Sequence, residues 1–309
     1  MKMKKLGVLL LTAFALCACS SGGDGVGDES GVPNPPTGDK RLPISIGMTV
    51  NDRENTRVTD LAFEAGDQIG LFVVNRNADG TAQALKTTGN HVNNMRFTYN
   101  ATWTPDAPIY WADDKTNADF YIYYPYKATV TDVTAMPFSV NADQGTEAVY
   151  KAGDVIIGSR TNVAPTEAAV MINARHAMSQ MLITLVPGNG FTEESLAAAE
   201  VSVRVNGVKT NATIDLATAT VTAVGDISAV TPLKTGGAYK ALIVPQTVDE
   251  GNLLTVTVDG KEYNLVSGIA FESGKRYNCT VKLSKTSEGV NVTIGDWEDD
   301  GTDYGGTAE

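Results

Sequence analysis

Leu42-Pro43-Ile44-Ser45-Ile46-Gly47-Met48-Thr49-Val50 alternates apolar residues with small or polar ones along its whole length. Leu42, Ile44, Ile46, Met48 and Val50 therefore share one face of an extended chain, the pattern of a half-buried β-strand. Pro43 has no N–H to give to a ladder, so it marks a strand start or a sheet edge.

The same alternation recurs downstream. It predicts strands over residues 68–74, 95–99, 109–111, 120–126, 137–140, 155–157, 169–172 and 178–186. Further strands are expected at Val201-Val203-Val205, near Ile214 and Val221, over residues 241–244, at Leu254-Val256-Val258, at Tyr277-Cys279-Val281-Leu283 and at Val290-Val292-Ile294. Residues 63–67, Asp79-Gly80, Asn206-Gly207, Asp259-Gly260 and Ser273-Gly274 read as turns between them. One helix is expected, over residues 192–200, where Thr192 is a capping residue, Glu193 and Glu194 fill the first turn and alanines follow. Many short strands with almost no helix make the fold class all-β, a β-sandwich architecture. The break between an N-terminal part, residues 41–168, and a C-terminal part, residues 169–309, is placed at residues 165–169. Residues 298–309 are acidic and Gly-rich and form a loose end.

Upstream of residue 41 the composition changes. Residues 19–40 are rich in Gly, Ser, Asp and Pro and bury too little to fold, so they read as a flexible tether. Residues 1–18 carry Lys2, Lys4 and Lys5, then an apolar run from residue 6 to 16 that is too short to span a bilayer, which is the form of a secretory signal. The ending Leu16-Cys17-Ala18-Cys19 resembles the lipobox of bacterial lipoproteins, which implies that Cys19 is lipidated and becomes the new N-terminus. Acyl chains on Cys19 would hold the chain on a membrane.

The 309 residues, 42% of them hydrophobic, suffice for one large domain or two smaller ones. Net charge is −12, and removing residues 1–18, with three Lys and no acid, takes it to −15. So acidic a surface argues against nucleic acid as a partner. Cys17 leaves with the signal and Cys19 carries lipid, so Cys279 has no partner for a disulfide and reads as a buried small hydrophobe.

No reactive constellation can be assembled, so no catalytic residue, no metal ligand and no cofactor is assigned. His91 and His176 are too far apart for zinc spacing, and His176, opening an apolar strand, reads as a hydrogen-bonded structural residue. The runs beginning at Asn75 and at Asp296 echo a calcium loop, but lack the Glu required at its twelfth position. Trp103, Trp111 and the aromatic run 120–126 are core packing or, alternatively, rings on which a glycan would stack. The alternative function is therefore a surface-tethered glycan-binding lipoprotein.

Five blocks occur in order: Phe63-Glu64-Ala65-Gly66-Asp67-Gln68-Ile69-Gly70-Leu71-Phe72; Ile109-Tyr110-Trp111 with residues 119–126; Gly153-Asp154-Val155-Ile156-Ile157-Gly158; His176-Ala177-Met178-Ser179-Gln180-Met181-Leu182-Ile183; and Phe271-Glu272-Ser273-Gly274-Lys275-Arg276-Tyr277, ending at Ile294-Gly295-Asp296-Trp297. Together, from Arg41 to Trp297, they resemble the fimbrillin-like pilus lipoproteins of Bacteroidales bacteria. The resemblance implies two tandem transthyretin-like β-sandwich domains and a subunit of an outer-membrane fimbrium that supports adhesion to a host or bacterial surface. It also implies assembly with other pilus subunits by strand exchange after an arginine-specific protease removes the N-terminal strand. Leu42, Ile44, Ile46, Met48 and Val50 then form the exchanged strand. Cutting after Arg53 or Arg57 would free it, whereas cutting after Arg41 would remove the tether and leave the strand in place.

Overall fold

A computed structural model describes residues 41–50 and 63–285, and the backbone of residues 295–296 and 306–308. Cys19, Arg53 and Arg57 lie outside the described residues, as does the strand expected at Val290-Val292-Ile294. In chain order the elements are β1 (Ile46–Val50), β2 (Gln68–Asn75), β3 (Val92–Asn100), β4 (Thr102–Pro105), β5 (Ala118–Tyr124), β6 (Met136–Ser139) and α1 (Glu147–Ala152). Next come β7 (Ile156–Val163), β8 (Val170–His176), β9 (Ser179–Pro187), α2 (Glu193–Ala198), β10 (Val201–Asp215) and β11 (Thr220–Val230). The last are β12 (Leu233–Thr235), β13 (Ala238–Ile243), β14 (Gln246–Val258), β15 (Lys261–Phe271), β16 (Lys275–Leu283), β17 (Gly295–Asp296) and β18 (Gly306–Ala308).

Three sheets carry these strands. The first has seven, in the order β1-β8-β7-β5-β2-β3-β4. Its pairs are antiparallel except β1 with β8, which run parallel. β2 and β5 are buried on both faces and so read as continuous apolar runs rather than alternating ones. Ile69, Leu71, Val73, Phe120 and Ile122 face one apolar cluster. Phe72, Val74, Tyr121 and Tyr123 face another, which also holds Ala212, Ile214, Leu242 and Val244 from the later strands. The second sheet has the order β11-β10-β14-β15, and the third β12-β13-β9-β16-β17, with β18 also on β16. A third cluster, built on Val203, Val256, Met181 and Tyr277, lies between these two sheets. The chain is an all-β sandwich.

The structure departs from the sequence reading in several places. Strands β4, β12 and β15 were not expected, and β18, inside the end read as loose, pairs with β16. Asn206-Gly207 is not a turn. Gly207, at φ +74°, sits at a register shift inside one continuous strand, β10. The extra residue bends β10, so that Val201 to Val205 pair with β14 while Asn211 to Ile214 pair with β6 on the same side. Residues 109–111 form a single bridge at Tyr110 rather than a strand. A second helix, α1, was not expected; Thr146 caps it and Tyr150 anchors it. Finally β8, beyond the break placed at 168, belongs to the first sheet, because it pairs with β7 on one side and β1 on the other. The helix foreseen at residues 192–200 is α2, where Thr192 and Ser195 form a capping box.

Candidate functional site

Residues 42–50 enter a slot between two strands of chain. Ile44 N–H donates to Ile109 O at 2.8 Å, and Trp111 N–H to Leu42 O at 2.9 Å. On the other side Val170 N–H donates to Ser45 O at 2.9 Å, and β1 continues parallel to β8 from Ile46 opposite Val170 to Val50 opposite Ala174. Thr49 Oγ1 adds a bond to Asn173 Oδ1 at 3.0 Å. Pro43 is exposed at the strand start, opposite Tyr110. Residues 42–44 are thus paired on one side and residues 45–50 on the other, so that the segment covers backbone of residues 109–111 and the edge of β8 that would otherwise be unpaired.

The alternation read from the sequence is realised in burial. Ile44 and Ile46 are 4% and 6% exposed, Leu42, Met48 and Val50 are half-buried, and Pro43, Ser45 and Thr49 face out. The slot floor is Trp111, Val170, Ile172 and Ala174, in one cluster with the two isoleucines. Fully burying each isoleucine contributes about 1.5–3 kcal/mol. The outer side is closed by Met171, whose Sδ lies where a Cβ on Gly47 would come within 2.4 Å. Arg41 stacks its guanidinium over Tyr110 at 5.4 Å from the ring centroid, just before the slot. The sequence alone gave no sign of the walls, since residues 109–111 and β8 are far from β1 along the chain.

The aromatic run does not form a stacking platform. Trp111 is 1% exposed and its indole N–H donates to Thr166 O at 3.2 Å; Phe120, Tyr121, Ile122 and Tyr123 are buried. Trp103 is packed edge-on against Phe63 at 4.9 Å. Fixed inside two apolar clusters, these rings cannot meet a sugar; Tyr124 and Tyr126, the half-buried members of the run, pack against Phe63 and under the Arg96 guanidinium. His176 is structural as expected: it is buried, with Nδ1 2.6 Å from Asp154 Oδ1. Cys279 is buried in β16. Asp79, in the weak calcium echo, spends Oδ1 on the N–H and hydroxyl of Thr81.

A candidate fimbrium subunit of Bacteroides uniformis, Fim1C, is 28% identical over 310 residues, spanning 96% of each chain. The crystal structure of a candidate cell-adhesion protein from Bacteroides uniformis superposes with a TM-score of 0.62 at 21% identity, over 84% of this chain and 100% of that one. One from Bacteroides ovatus does so at 0.65 and 17%, over 85% and 100%. At such identities the two structures establish a shared fold. The profile of the fimbrillin-like family matches residues 56–297, and the chain belongs to that family.

Proposed function

We propose that the protein is a structural or accessory subunit of a cell-surface fimbrium. In this reading it is exported as a lipoprotein, held at the outer membrane through Cys19, and joined to other subunits by exchange of the strand at residues 42–50. The double pairing of that strand carries the proposal. Its departure would expose the Ile109–Trp111 backbone, the free edge of β8 and the apolar floor beneath Ile44 and Ile46. An extended segment from another chain satisfies all three at once. The strand is N-terminal, so it can leave without unthreading any other connection. Arg53 and Arg57 follow it, and a cut after either releases it. A cut after Arg41 leaves it seated.

The chain also carries a segment with the same pattern. Val290-Asn291-Val292-Thr293-Ile294-Gly295 repeats the apolar, polar and glycine positions of Leu42-Pro43-Ile44-Ser45-Ile46-Gly47. Residues 298–309, with Tyr304 and Ala308 as their apolar members, are poorer donors. The tandem domains implied by family membership divide, in this reading, after His176 rather than at 168.

The experiment is arginine-specific proteolysis of the purified chain, followed by N-terminal sequencing and native sizing. Starts after Arg53 or Arg57 together with ladders of rising mass are expected, and an Arg53→Ala/Arg57→Ala chain should give neither. A correctly cut chain that stays monomeric at high concentration sinks strand exchange.

A further inference from the structure

Between β2 and β3 the chain makes a long excursion, residues 76–91, that is held in one shape. Arg76 anchors its start, with Nε 2.8 Å from Asp119 Oδ1 and a second donor on Gly80 O at 3.0 Å. Leu85 is buried in the middle cluster. Asn90 ties the end by accepting from Lys86 N–H at 3.0 Å and donating to Asn93 Oδ1 at 2.9 Å. Under this loop, against the end of β2, lies a cavity of about 290 Å³. That is close to the lower size of small-molecule sites, roughly 300 Å³.

In a chain of net charge −12, no carboxylate lines the cavity. The polar wall is Asn75, Gln83, Asn90, His91 and the cation Lys86. His91 Nε2 lies 2.7 Å from Tyr110 O. A carbonyl only accepts, so Nε2 holds the hydrogen, and in the neutral ring Nδ1 remains an acceptor. Asn75 Oδ1 is buried in the wall and has no hydrogen-bond partner among the described residues. Asn90 is spent on Lys86 and Asn93, so the wall offers the His91 acceptor for a hydroxyl, the Gln83 carboxamide that both gives and takes, and one ammonium for an anion.

We propose that this cavity binds the terminal residue of an acidic saccharide, with ring hydroxyls on Gln83 and His91 and the sugar carboxylate on Lys86. The site is independent of strand exchange and would give a fimbrial subunit a surface to bind.

The test is calorimetric titration of the full lipidated chain in detergent with methyl glucuronide, methyl galacturonide and the methyl glycoside of N-acetylneuraminic acid. Methyl glucoside serves as the neutral twin and inorganic sulfate as a competitor. Saturable binding of at least one acidic sugar is expected, about tenfold tighter than methyl glucoside. Lys86→Ala should bring the acidic sugar down to the neutral level, and Gln83→Ala should weaken both severalfold. Both side chains are exposed, so neither variant should shift the melting temperature. No binding of any acidic sugar, equal binding of the neutral twin, or unchanged affinity in Lys86→Ala each overturns the proposal. Sulfate displacing the sugar at equal concentration overturns it too, since the site would then be a plain anion site.

Discussion

Two glycines show how much depends on what surrounds a single residue. A Cβ on Gly158 would lie 2.7 Å from Asn173 O and 2.8 Å from Ala174 Cα, both backbone atoms of β8. A Cβ on Gly47 would meet the end of Met171, which is half exposed and free to swing away. Gly158→Ala should therefore force β7 from β8 and cost about 1–3 kcal/mol, whereas Gly47→Ala should cost less than about 1 kcal/mol. Urea midpoints of the two variants check this, and equal losses would refute it. Tyr123 gives a second test. Burial raises its hydroxyl from 10.0 to about 12, against smaller lowering contributions from Lys127 and Asn94. Below pH 10.0 both folded and unfolded chains keep the proton, so the residue adds no pH dependence. Between there and about 12 the unfolded chain binds fewer protons, and stability falls as pH rises. In Tyr123→Phe that fall should be shallower, although Tyr121 and Tyr277, also raised by burial, keep it from vanishing. Urea melts across this window measure the slopes. Neither the close approach at Gly158 nor the burial of Tyr123 is legible in the sequence, because both come from strands that meet only in the folded chain.

At the scale of the element, period-two patterning was enough to find most strands, including β1, and capping chemistry was enough to find α2. What it missed has a common cause. β10 carries a bulge, and a glycine at positive φ inside a strand looks like a turn when the two partners that share the strand are unknown. The mirror case is α1, too short for a helical period, where the signal was Thr146 as cap. β8 was found as a strand but its neighbours β7 and β1 were not, since alternation names a face and not a neighbour. The slot shares that limit: its occupant was read from residues 42–50, while its two walls were not. Ile46→Ala removes a side chain that is 6% exposed between them. It should destabilise by about 2–4 kcal/mol if the slot is as tightly filled as its floor indicates. The same variant should speed loss of β1 protection in amide exchange while β14 and β15 stay protected. Uniform loss across all strands would mean that β1 does not move as a separate element.

Across the whole molecule, the first sheet and the later strands are bound by shared apolar and polar contacts. The middle cluster takes Phe72, Tyr123 and Ile157 from the first sheet and Ile214, Leu242 and Val244 from the others, and β6 crosses over to pair with β10. Gln144, 1% exposed, donates to Leu242 O and accepts from Leu242 N–H, both at 2.8 Å, so that a loop side chain completes the backbone ladder of β13. A chain so joined should unfold as one unit even where the sequence suggests two. Natural probes report on each part. Trp103 and Trp111 lie in the first cluster, and Cys279 lies in the cluster between the second and third sheets. With Cys17 and Cys19 replaced by Ser and Trp297 by Phe, tryptophan fluorescence and Cys279 thiol exposure should share one urea midpoint. Gln144→Ala leaves a buried N–H and C=O unmet; it should cost about 2–3 kcal/mol of stability and lower the midpoint of both probes together. Separate midpoints in the parent chain, or a shift in Gln144→Ala confined to the thiol, would show two units that fold independently despite the cluster between them.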